Sequence, residues 1–277
     1  RIIKSSLLYD AYQEKLPKRT DPERPAWVFP RDYGITDRRR NLLLCNRLVE
    51  LCHVSNPSLA SRRLTLNDVP FQVFLTRQEG ELQVLMSLRA DLLVTSGTGL
   101  PAQASPTETF ELPLPDMGPL LSHVSMVKKS VTKPEDIFQA IPAKKDCVHT
   151  ALVHYNDTEV ANIYETEVTE SQVIGRSLMK CFTFAAAQAK YNYGNDVVNP
   201  PKPVVVQCIH TDGRLFHFSV FQLNTLKEPG NDGVRNIFWS IPRIPLYETC
   251  AYVGGKPLLE GYNPDVFRYL AAFYNNV

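Results

Sequence analysis

Helical hydrophobic patterns dominate two long segments of the chain. One begins at Thr36, and the other begins at Thr169 and ends at Gly194. Threonine is a favoured residue at a helix N-cap, and Thr169 with Gln172 has the spacing of a capping box. We therefore predict two long helices, the first ending at Asn56-Pro57 and the second at Gly194.

Both ends of the chain predict shorter helices. Residues 1–16 carry an amphipathic pattern that Pro17 ends, and Asn263-Pro264-Asp265 is typical of a helix start with proline at its first position. Residues 15–37 are polar and contain four prolines, which predicts an extended arm.

Strand patterns fill most of the remaining chain. Residues 71–76 and 82–88 alternate apolar and polar positions around a Gln-Glu-Gly turn, which predicts a hairpin. Residues 92–94 and 150–155 predict further strands. The run at 203–209 contains three consecutive valines, which indicates a strand that is buried on both faces.

The Asp212-Gly213 dipeptide predicts a two-residue hairpin turn after the valine-rich strand. That register pairs Thr211 with Arg214 and places Cys208 opposite His217. A cysteine beside a histidine is the beginning of a nucleophile–base pair, so an enzyme with a Cys208/His217 dyad is one alternative function. Both residues would lie in the middle of paired strands, where a small thiol packed against an imidazole is the ordinary interpretation.

The same register divides the hairpin into two faces. The apolar face carries Val205, Ile209, Phe216, Phe218 and Val220, together with Gln207 and Gln222, and is expected to join the core. The mixed face carries Val204, Val206, Cys208, His210, Leu215, His217, Ser219 and Phe221. A helix of the same chain or a partner protein would cover such a face, and a pocket over it would make the chain a small-molecule binding module.

These elements predict an α+β fold, with an antiparallel sheet covered by helices and a helical and extended basic N-terminal part. We expect residues 1–65 to form a basic arm and helix packed on a main α+β domain of residues 66–277. Because the chain begins with arginine rather than methionine, we expect the full-length protein to be longer.

Composition excludes several classes of protein. Hydrophobic residues make up 44% and charged residues 21% of the 277 positions, as in ordinary globular proteins. No apolar run approaches the roughly 20 residues that span a membrane, so no membrane span is expected. The six cysteines include no C-x-x-C pair, and we expect neither a metal nor another cofactor.

Charge is uneven along the chain, although the net charge is only +1. Residues 1–63 hold 13 Lys/Arg and 7 Asp/Glu, whereas residues 64–194 hold 10 and 15. The basic N-terminal part is suited to a polyanionic partner, and the acidic middle part of the chain is suited to protein partners. The candidate contacts to RNA phosphates are Lys18, Arg19, Arg38, Arg39, Arg40, Arg62 and Arg63. Three of them, Arg38 to Arg40, oppose the dipole of the predicted helix, so either an anionic partner or a solvated helix face accounts for them.

An ordered string of segments resembles one known family. The segments are Tyr193-Gly194-Asn195-Asp196, Pro203–Gln207, Thr211–Phe218 and Phe221–Thr225, with Asn56–Ala60 and Arg62-Arg63 upstream. Together they resemble the family of the mitochondrial large-subunit ribosomal protein number thirty-seven. Pro245–Glu248 and Gly261–Asn263 are more similar to the sister family, mitochondrial ribosomal protein thirty, also called programmed cell death protein nine.

The resemblance implies a structural component of the mitochondrial large ribosomal subunit, located in the matrix. It provides no catalytic residues, so no enzymatic activity is expected. It implies contacts with other large-subunit proteins, especially the sister protein thirty, and with mitochondrial rRNA. Through these contacts the protein would support mitochondrial translation.

Overall fold

The computed structural model describes residues 1–8, 14–15, 33–76, 82–108, 113–116, 124–128, 147–155, 169–227, 233–254 and 256–277. The helices are α1 (Ile2–Leu8), α2 (Asp37–Ser55), α3 (Pro57–Ala60), α4 (Glu170–Tyr193) and α5 (Asp265–Asn275). The strands are β1 (Glu14–Lys15), β2 (Tyr33–Gly34), β3 (Thr65–Thr76), β4 (Leu82–Ser96), β5 (Val124–Lys128), β6 (Cys147–His154), β7 (Val204–Thr211), β8 (Leu215–Leu223), β9 (Ile237–Pro245), β10 (Thr249–Val253) and β11 (Lys256–Glu260).

The main sheet has the strand order β3-β4-β6-β7-β8-β9, and β5 pairs with the first part of β4. Within the described sheet, β6 and β7 run parallel and every other neighbouring pair is antiparallel. Parallel neighbours need a crossover connection, and α4 lies between these two strands in the sequence. The α+β class is confirmed, with a mixed sheet that is mostly antiparallel.

The two predicted long helices are present with the expected ends. The Arg39 backbone N–H donates to Thr36 Oγ1 at 3.3 Å, and Thr169 forms the reciprocal capping box with Gln172. Helix α4 stops at Gly194, whose φ of 97° lies in the region that favours glycine. Local sequence therefore determined where α2 and α4 begin and where α4 ends.

The helices at the chain ends differ slightly from their predictions. The described part of the first one ends at Leu8, and residues 9–13 lie outside the described residues. The prediction is wrong for Glu14 and Lys15, which pair with Gly34 and Tyr33 as strand β1 instead of continuing the helix. Helix α5 begins at Asp265, one position later than predicted, and Asn263 Oδ1 accepts from the Asp265 N–H at 3.0 Å. A difference of one residue is within the usual scatter of helix boundaries.

The β3–β4 hairpin is longer than its hydrophobic alternation predicted. Leu92 to Val94 is not a separate strand but the continuation of β4, which pairs with β3 as far as Val94. The ladder omits the pair Asp68–Asp91, where Asp68 adopts a φ of 54°. A non-glycine residue in this region is uncommon, and it marks a local interruption of the strand.

The predicted two-residue turn between β7 and β8 is wrong. Thr211 pairs with Phe216 rather than with Arg214, because Asp212 Oδ1 accepts from the backbone N–H groups of Arg214 and Leu215 at 2.7 and 2.6 Å. This side-chain cap lengthens the loop, as aspartate commonly does in turns. The register moves by two positions, so the prediction of which side chains share a face still holds.

The mixed face of the β7–β8 hairpin is covered by α4 of the same chain. The core on this side combines Phe184, Ala185, Ala186 and Ala189 of α4 with Val204, Val206, Cys208, Phe221 and Leu223 of the hairpin. The three consecutive alanines, 185–187, are at most 6% exposed. Their small side chains allow the helix backbone to approach the sheet closely, which explains how a partly polar face becomes buried everywhere except at Leu215.

Helices α2 and α5 cover the opposite face. Helix α2 contributes a buried stripe of Leu44, Leu48 and Cys52, and α5 contributes Val266, Leu270 and Tyr274. These side chains pack on apolar residues of the sheet, namely Leu92, Leu152, Ile209, Phe216 and Phe218. The central strands β6 and β7 consequently lie between two helical layers. Burial of each large apolar side chain there stabilises the fold by about 1.5–3 kcal/mol.

The end of α5 is held by a buried polar network. His149 Nε2 lies 2.7 Å from the Asn276 carbonyl oxygen, which can only accept, so Nε2 carries the proton and Nδ1 accepts from Thr150 Oγ1 at 2.9 Å. Gln207 Nε2 donates to the Phe273 carbonyl at 3.0 Å, and Gln207 Oε1 accepts from Asn276 Nδ2 at 2.9 Å. Burial lowers the pKa of His149 to about 4.

Acidification should destabilise the fold through His149. Between its ordinary pKa of about 6.5 and its folded pKa of about 4, the unfolded chain binds a proton that the folded chain does not. This term should lower the free energy of unfolding by roughly 2 kcal/mol from pH 7 to pH 5. Urea unfolding of the wild type and of His149→Gln at both pH values measures it. An identical pH dependence in both proteins would contradict the assignment.

Candidate functional site

The predicted phosphate-binding cations do not form one cluster among the described residues. Lys18 and Arg19 lie outside those residues. Arg38, Arg39 and Arg40 lie in the first turn of α2. Arg62 and Arg63 follow the short helix α3, which comes directly after the C-terminal end of α2. Helix α2 has 19 residues and is about 28 Å long, so the two basic groups lie near opposite ends of it.

Arg38 is partly occupied by an internal ion pair. Its Nε donates to Asp91 Oδ1 at 2.6 Å, while Asp91 Oδ2 accepts from the His154 backbone N–H at 2.7 Å. The Arg38 side chain is 54% exposed and that of Asp91 only 11%. Arg38 therefore ties the start of α2 to the sheet and still presents part of its guanidinium to solvent.

Asn41 completes this contact between α2 and the sheet. Its Nδ2 donates to the Thr211 carbonyl at 2.7 Å and to His154 Nδ1 at 3.1 Å, and its Oδ1 accepts from the Cys45 thiol at 3.4 Å. Asn41 thus bonds the last residues of the parallel strands β6 and β7. The sequence signal for this arrangement was weak: a polar residue on the buried side of a helix and an aspartate inside the apolar strand β4.

The other arginines of this turn have different surroundings. Arg40 Nη1 lies 3.8 Å from Asp37 Oδ1, and Arg40 also lines a cavity of about 230 Å³. Asp37 and Asp212 line the same cavity, so its charges are mixed. Its volume is below the roughly 300 Å³ at which small-molecule pockets begin. The Arg39 side chain is partly exposed.

Arg63 stabilises the end of α5. Its Nη2 donates to the carbonyl oxygens of Tyr274 and Asn276 at 3.1 and 2.9 Å, and its guanidinium carbon lies 5.7 Å from the centre of the Tyr274 ring. A cation at the carbonyl end of a helix is favoured by the helix dipole. Burial lowers the pKa of Arg63, although arginine remains charged at physiological pH. The adjacent Arg62 is exposed.

The Cys208/His217 dyad is not formed. Cys208 pairs with Ser219, and His217 pairs with His210. The structure instead places Ser177 Oγ of α4 2.6 Å from His210 Nδ1. A serine–histidine hydrogen bond is also the beginning of a catalytic pair, but each side chain is only 1% exposed, so Oγ is inaccessible to a substrate. Sequence reasoning missed this contact because the residues lie on different elements, 33 positions apart.

A larger apolar groove lies between α4 and β9, with a volume of about 980 Å³. The helix contributes Glu170, Ser171, Ile174, Leu178, Met179 and Phe182; the sheet contributes Phe221 and residues 237–240; and Glu108, Pro113, Leu114, Pro115, Arg235 and Asn236 complete the lining. We call this feature the α4–β9 groove. It is far less polar than the cavity beside Arg40.

Two other features of the described residues bear on the kind of site. No three or more His, Cys, Asp or Glu side chains within the described ranges are grouped so as to hold a metal ion. In the same ranges, every helix is too short or too polar to cross a membrane.

Comparison with known proteins places these features in a family. Residues 138–277 match the family model described as mitochondrial 28S ribosomal protein S30 (PDCD9). The chain belongs to the PDCD9 family. The matched region runs from the residues preceding β6 to the end of α5, and therefore includes α4 and the β7–β9 strands around the groove.

Relatives named large ribosomal subunit protein mL37 extend the comparison upstream. The chain is 31% identical to the Gallus gallus protein over 247 residues, which are 84% of the chain and 56% of the relative. It is 28% identical to the Rattus norvegicus protein over 253 residues, 84% of the chain and 57% of the relative. The chain thus spans about half the length of the curated relatives it matches. The resemblance to protein thirty-seven and its sister is confirmed.

The two adjacent arginines of this family member should behave differently. Arg63→Ala should lower the free energy of unfolding by about 1.5–3 kcal/mol, because it removes charged hydrogen bonds from two helix-end carbonyls. Arg62→Ala should change it by less than about 0.5 kcal/mol, since the residue is exposed. Urea unfolding of both variants provides the measurement. Equal effects would show that Arg63 has no special role in holding α5.

Thiol labelling separates buried from accessible cysteines. Cys147 and Cys250 are partly exposed, whereas Cys45, Cys52, Cys181 and Cys208 are buried. Burial raises the pKa of Cys52 to about 12, and burial together with the neighbouring Cys208 raises that of Cys181, so little reactive thiolate forms. With iodoacetamide at pH 7.5 and mass-spectrometric detection, we expect two labelled cysteines in the native chain and six in urea. Rapid native labelling of Cys208 would revive the enzyme alternative.

Proposed function

We propose that the chain is a non-enzymatic structural component of the mitochondrial large ribosomal subunit. The observation that carries this proposal is the similarity to mL37 proteins over 84% of the chain. In this role it supports mitochondrial translation through contacts with other proteins and with rRNA, and it is located in the matrix, where that ribosome works.

The family description and the relatives point to different ribosomal subunits. The family model carries a 28S subunit name and matches residues 138–277, whereas the relatives carry large-subunit names and also match residues upstream. We follow the relatives because their similarity covers more of the chain. Assignment to the large subunit is therefore a specific and testable part of the proposal.

The geometry of the fold supports an interaction role. Both faces of the central strands are covered by helices of the chain itself, so the described part offers its helix ends, outer helix surfaces and sheet edges to partners. The buried Ser177–His210 contact and the buried Cys208 argue against acyl-transfer chemistry at these positions. These features favour a protein that makes contacts over an enzyme that uses Ser177 or Cys208 as its nucleophile.

Two kinds of partner follow from the distribution of charge. The exposed parts of Arg38 and Arg39, together with Arg62, would contact rRNA phosphates, with Lys18 and Arg19 added from the N-terminal arm. Protein partners would contact the acidic and neutral remainder of the chain. Among these, the sister protein thirty is the partner that we propose first.

Sedimentation tests the assignment to the ribosome. The endogenous full-length protein in a mitochondrial lysate should sediment with the large subunit after the two subunits have been separated at low magnesium concentration. It should remain there after washing with moderate salt. Recovery with the small subunit would overturn the large-subunit assignment, and recovery as a free protein would overturn the ribosomal role altogether.

The rRNA contact should depend on salt through specific arginines. Each phosphate contact contributes roughly 0.7–0.9 to the slope of log affinity against log salt concentration. The double variant Arg39→Gln/Arg62→Gln should therefore reduce the slope for binding mitochondrial large-subunit rRNA by about 1.5. Arg268→Gln is the matched control, because its side chain is 75% exposed on α5 and it is not one of the predicted phosphate contacts. Equal slopes for the wild type and the double variant would exclude these two contacts.

A further inference from the structure

The cavity beside Arg40 lies where β7 ends. It is formed by residues of α1, of the first half of α2, of the β7–β8 loop and of the segment 247–252, and we call it the Arg40 cavity. Its volume of about 230 Å³ far exceeds the roughly 10–15 Å³ that one water needs, and it is smaller than a pocket for a drug-sized ligand. A cavity of this size fits a group comparable with one amino-acid side chain.

Tyr247 contributes a buried hydroxyl to this cavity. The residue is only 8% exposed and lines the cavity. Its carbonyl oxygen accepts from Arg214 Nε at 3.5 Å, but its hydroxyl forms no hydrogen bond with any described residue. Burial, together with Cys250 and Asp212 nearby, raises the pKa of this phenol, so it stays neutral. A buried hydroxyl without a protein partner indicates that another molecule completes its hydrogen bonding.

Asp212 adds a carboxylate that is not neutralised by an ion pair. Its Oδ1 accepts from the backbone N–H groups of Arg214 and Leu215, and among the described residues it forms no ion pair. Asp212 lines the same cavity, and its charge is close enough to Tyr247 to raise the pKa of that phenol. A negative charge and a neutral hydroxyl therefore act on the same space.

The remaining charges at the cavity largely cancel. Arg40 Nη1 lies 3.8 Å from Asp37 Oδ1, which offsets the charge of the guanidinium. The N-terminus of α2 is positive by its dipole, but Asp37 lies in its first turn and Thr36 Oγ1 accepts from the Arg39 N–H. The carboxylate of Asp212 is then left as the excess charge, so a cation is favoured over a phosphate or a carboxylate.

The walls of the cavity fit an apolar stem. Ile3, Leu7 and Leu44 provide aliphatic surface, and Tyr252, which is 53% exposed, provides a second phenol. Faces of tyrosine rings attract cations, and aliphatic surface covers the methylene groups of a long cationic side chain. Both features match an alkyl chain that ends in a charge.

The hydrogen bonds of Asp212 distinguish between the two common organic cations. A guanidinium binds best to both oxygens of a carboxylate, whereas an ammonium is a compact charge that needs only one. Since Asp212 Oδ1 already accepts two backbone N–H groups, only Oδ2 is without a printed bond to the protein. A primary ammonium is the better match.

We propose that the Arg40 cavity binds a primary alkylammonium group, with Asp212 and the Tyr247 hydroxyl as its polar contacts. The ammonium donates to Asp212 Oδ2 and to the phenol oxygen, and its alkyl stem packs on the aliphatic wall. A lysine side chain of a neighbouring protein and a free amine carry the same group. The site does not depend on the ribosomal role.

Calorimetric titration of the full chain with n-butylammonium tests the proposal. At pH 7 and constant ionic strength we expect saturable binding with a Kd on the order of 1 mM, as such a small ligand can reach. Butyrate and n-butanol, which have the same stem without the positive charge, should bind at least about tenfold more weakly. No saturable binding of n-butylammonium, or equal binding of butyrate, overturns the proposal.

Two conservative variants show whether the named groups hold the cation. Asp212→Asn keeps an oxygen that accepts the two backbone N–H groups but removes the charge, and it should weaken binding at least about tenfold. Tyr247→Phe removes a hydroxyl without a protein partner, so it should weaken binding about fivefold and leave the thermal stability of the free chain unchanged or higher. Tyr262→Phe is the matched control, because Tyr262 is 58% exposed and is not among the residues of the cavity. Unchanged binding by either folded test variant overturns the proposal.

The endogenous protein in its native assembly identifies the source of the cation. A carbodiimide crosslink from Asp212 to a lysine of another protein would assign it to that side chain, and an amine released on denaturation would assign it to a small molecule. A crosslink to a lysine of the same chain would mean that the chain fills its own cavity. That result, or an Asp212 that couples to an added amine as readily as in the free chain, overturns the proposal.

Discussion

The burial of β6 and β7 between two helical layers is the constraint on which the rest of the structure depends. All eight residues of β7 are buried; Val204, Val206 and Cys208 pack in one core and Ile209 packs in the other. Such a strand is stable only if helices cover both of its faces, and α4 on one side and α2 with α5 on the other meet this requirement. The three consecutive alanines of α4 matter because larger side chains would hold the helix away from a strand that needs close cover.

Deep burial makes the polar side chains of these central strands important. Gln207 and His149 would be costly to bury without partners, but they bond to the last residues of α5 and to Asn276. At the opposite end, Asn41 and Arg38 connect α2 to Thr211, His154 and Asp91. Polar side chains of the central strands and of α2 thus fix the positions of α2 and α5, which cover one apolar face of the sheet.

This arrangement leaves particular surfaces for function. A sheet covered on both faces meets partners at its edges, at helix ends and on the outer helix surfaces, which is a geometry suited to assembly. One of the predicted basic residues, Arg63, is used to hold α5, and Arg38 is shared between the fold and the solvent. The charge of a segment predicted a kind of partner, but it did not predict which cations the fold would leave exposed.

Local patterns in the sequence were sufficient for the elements whose causes are local. The caps of α2 and α4, the end of α4 at Gly194, the buried character of β7 and the two faces of the β7–β8 hairpin follow from spacing and from side chains next to one another. The register of that hairpin was mispredicted because one aspartate side chain bonded two further backbone groups. The parallel pairing of β6 with β7, the Ser177–His210 contact and the groove beside β9 were decided only by the tertiary structure. Each joins residues from separate elements, and no periodicity along one segment reports which other segment will pack against it.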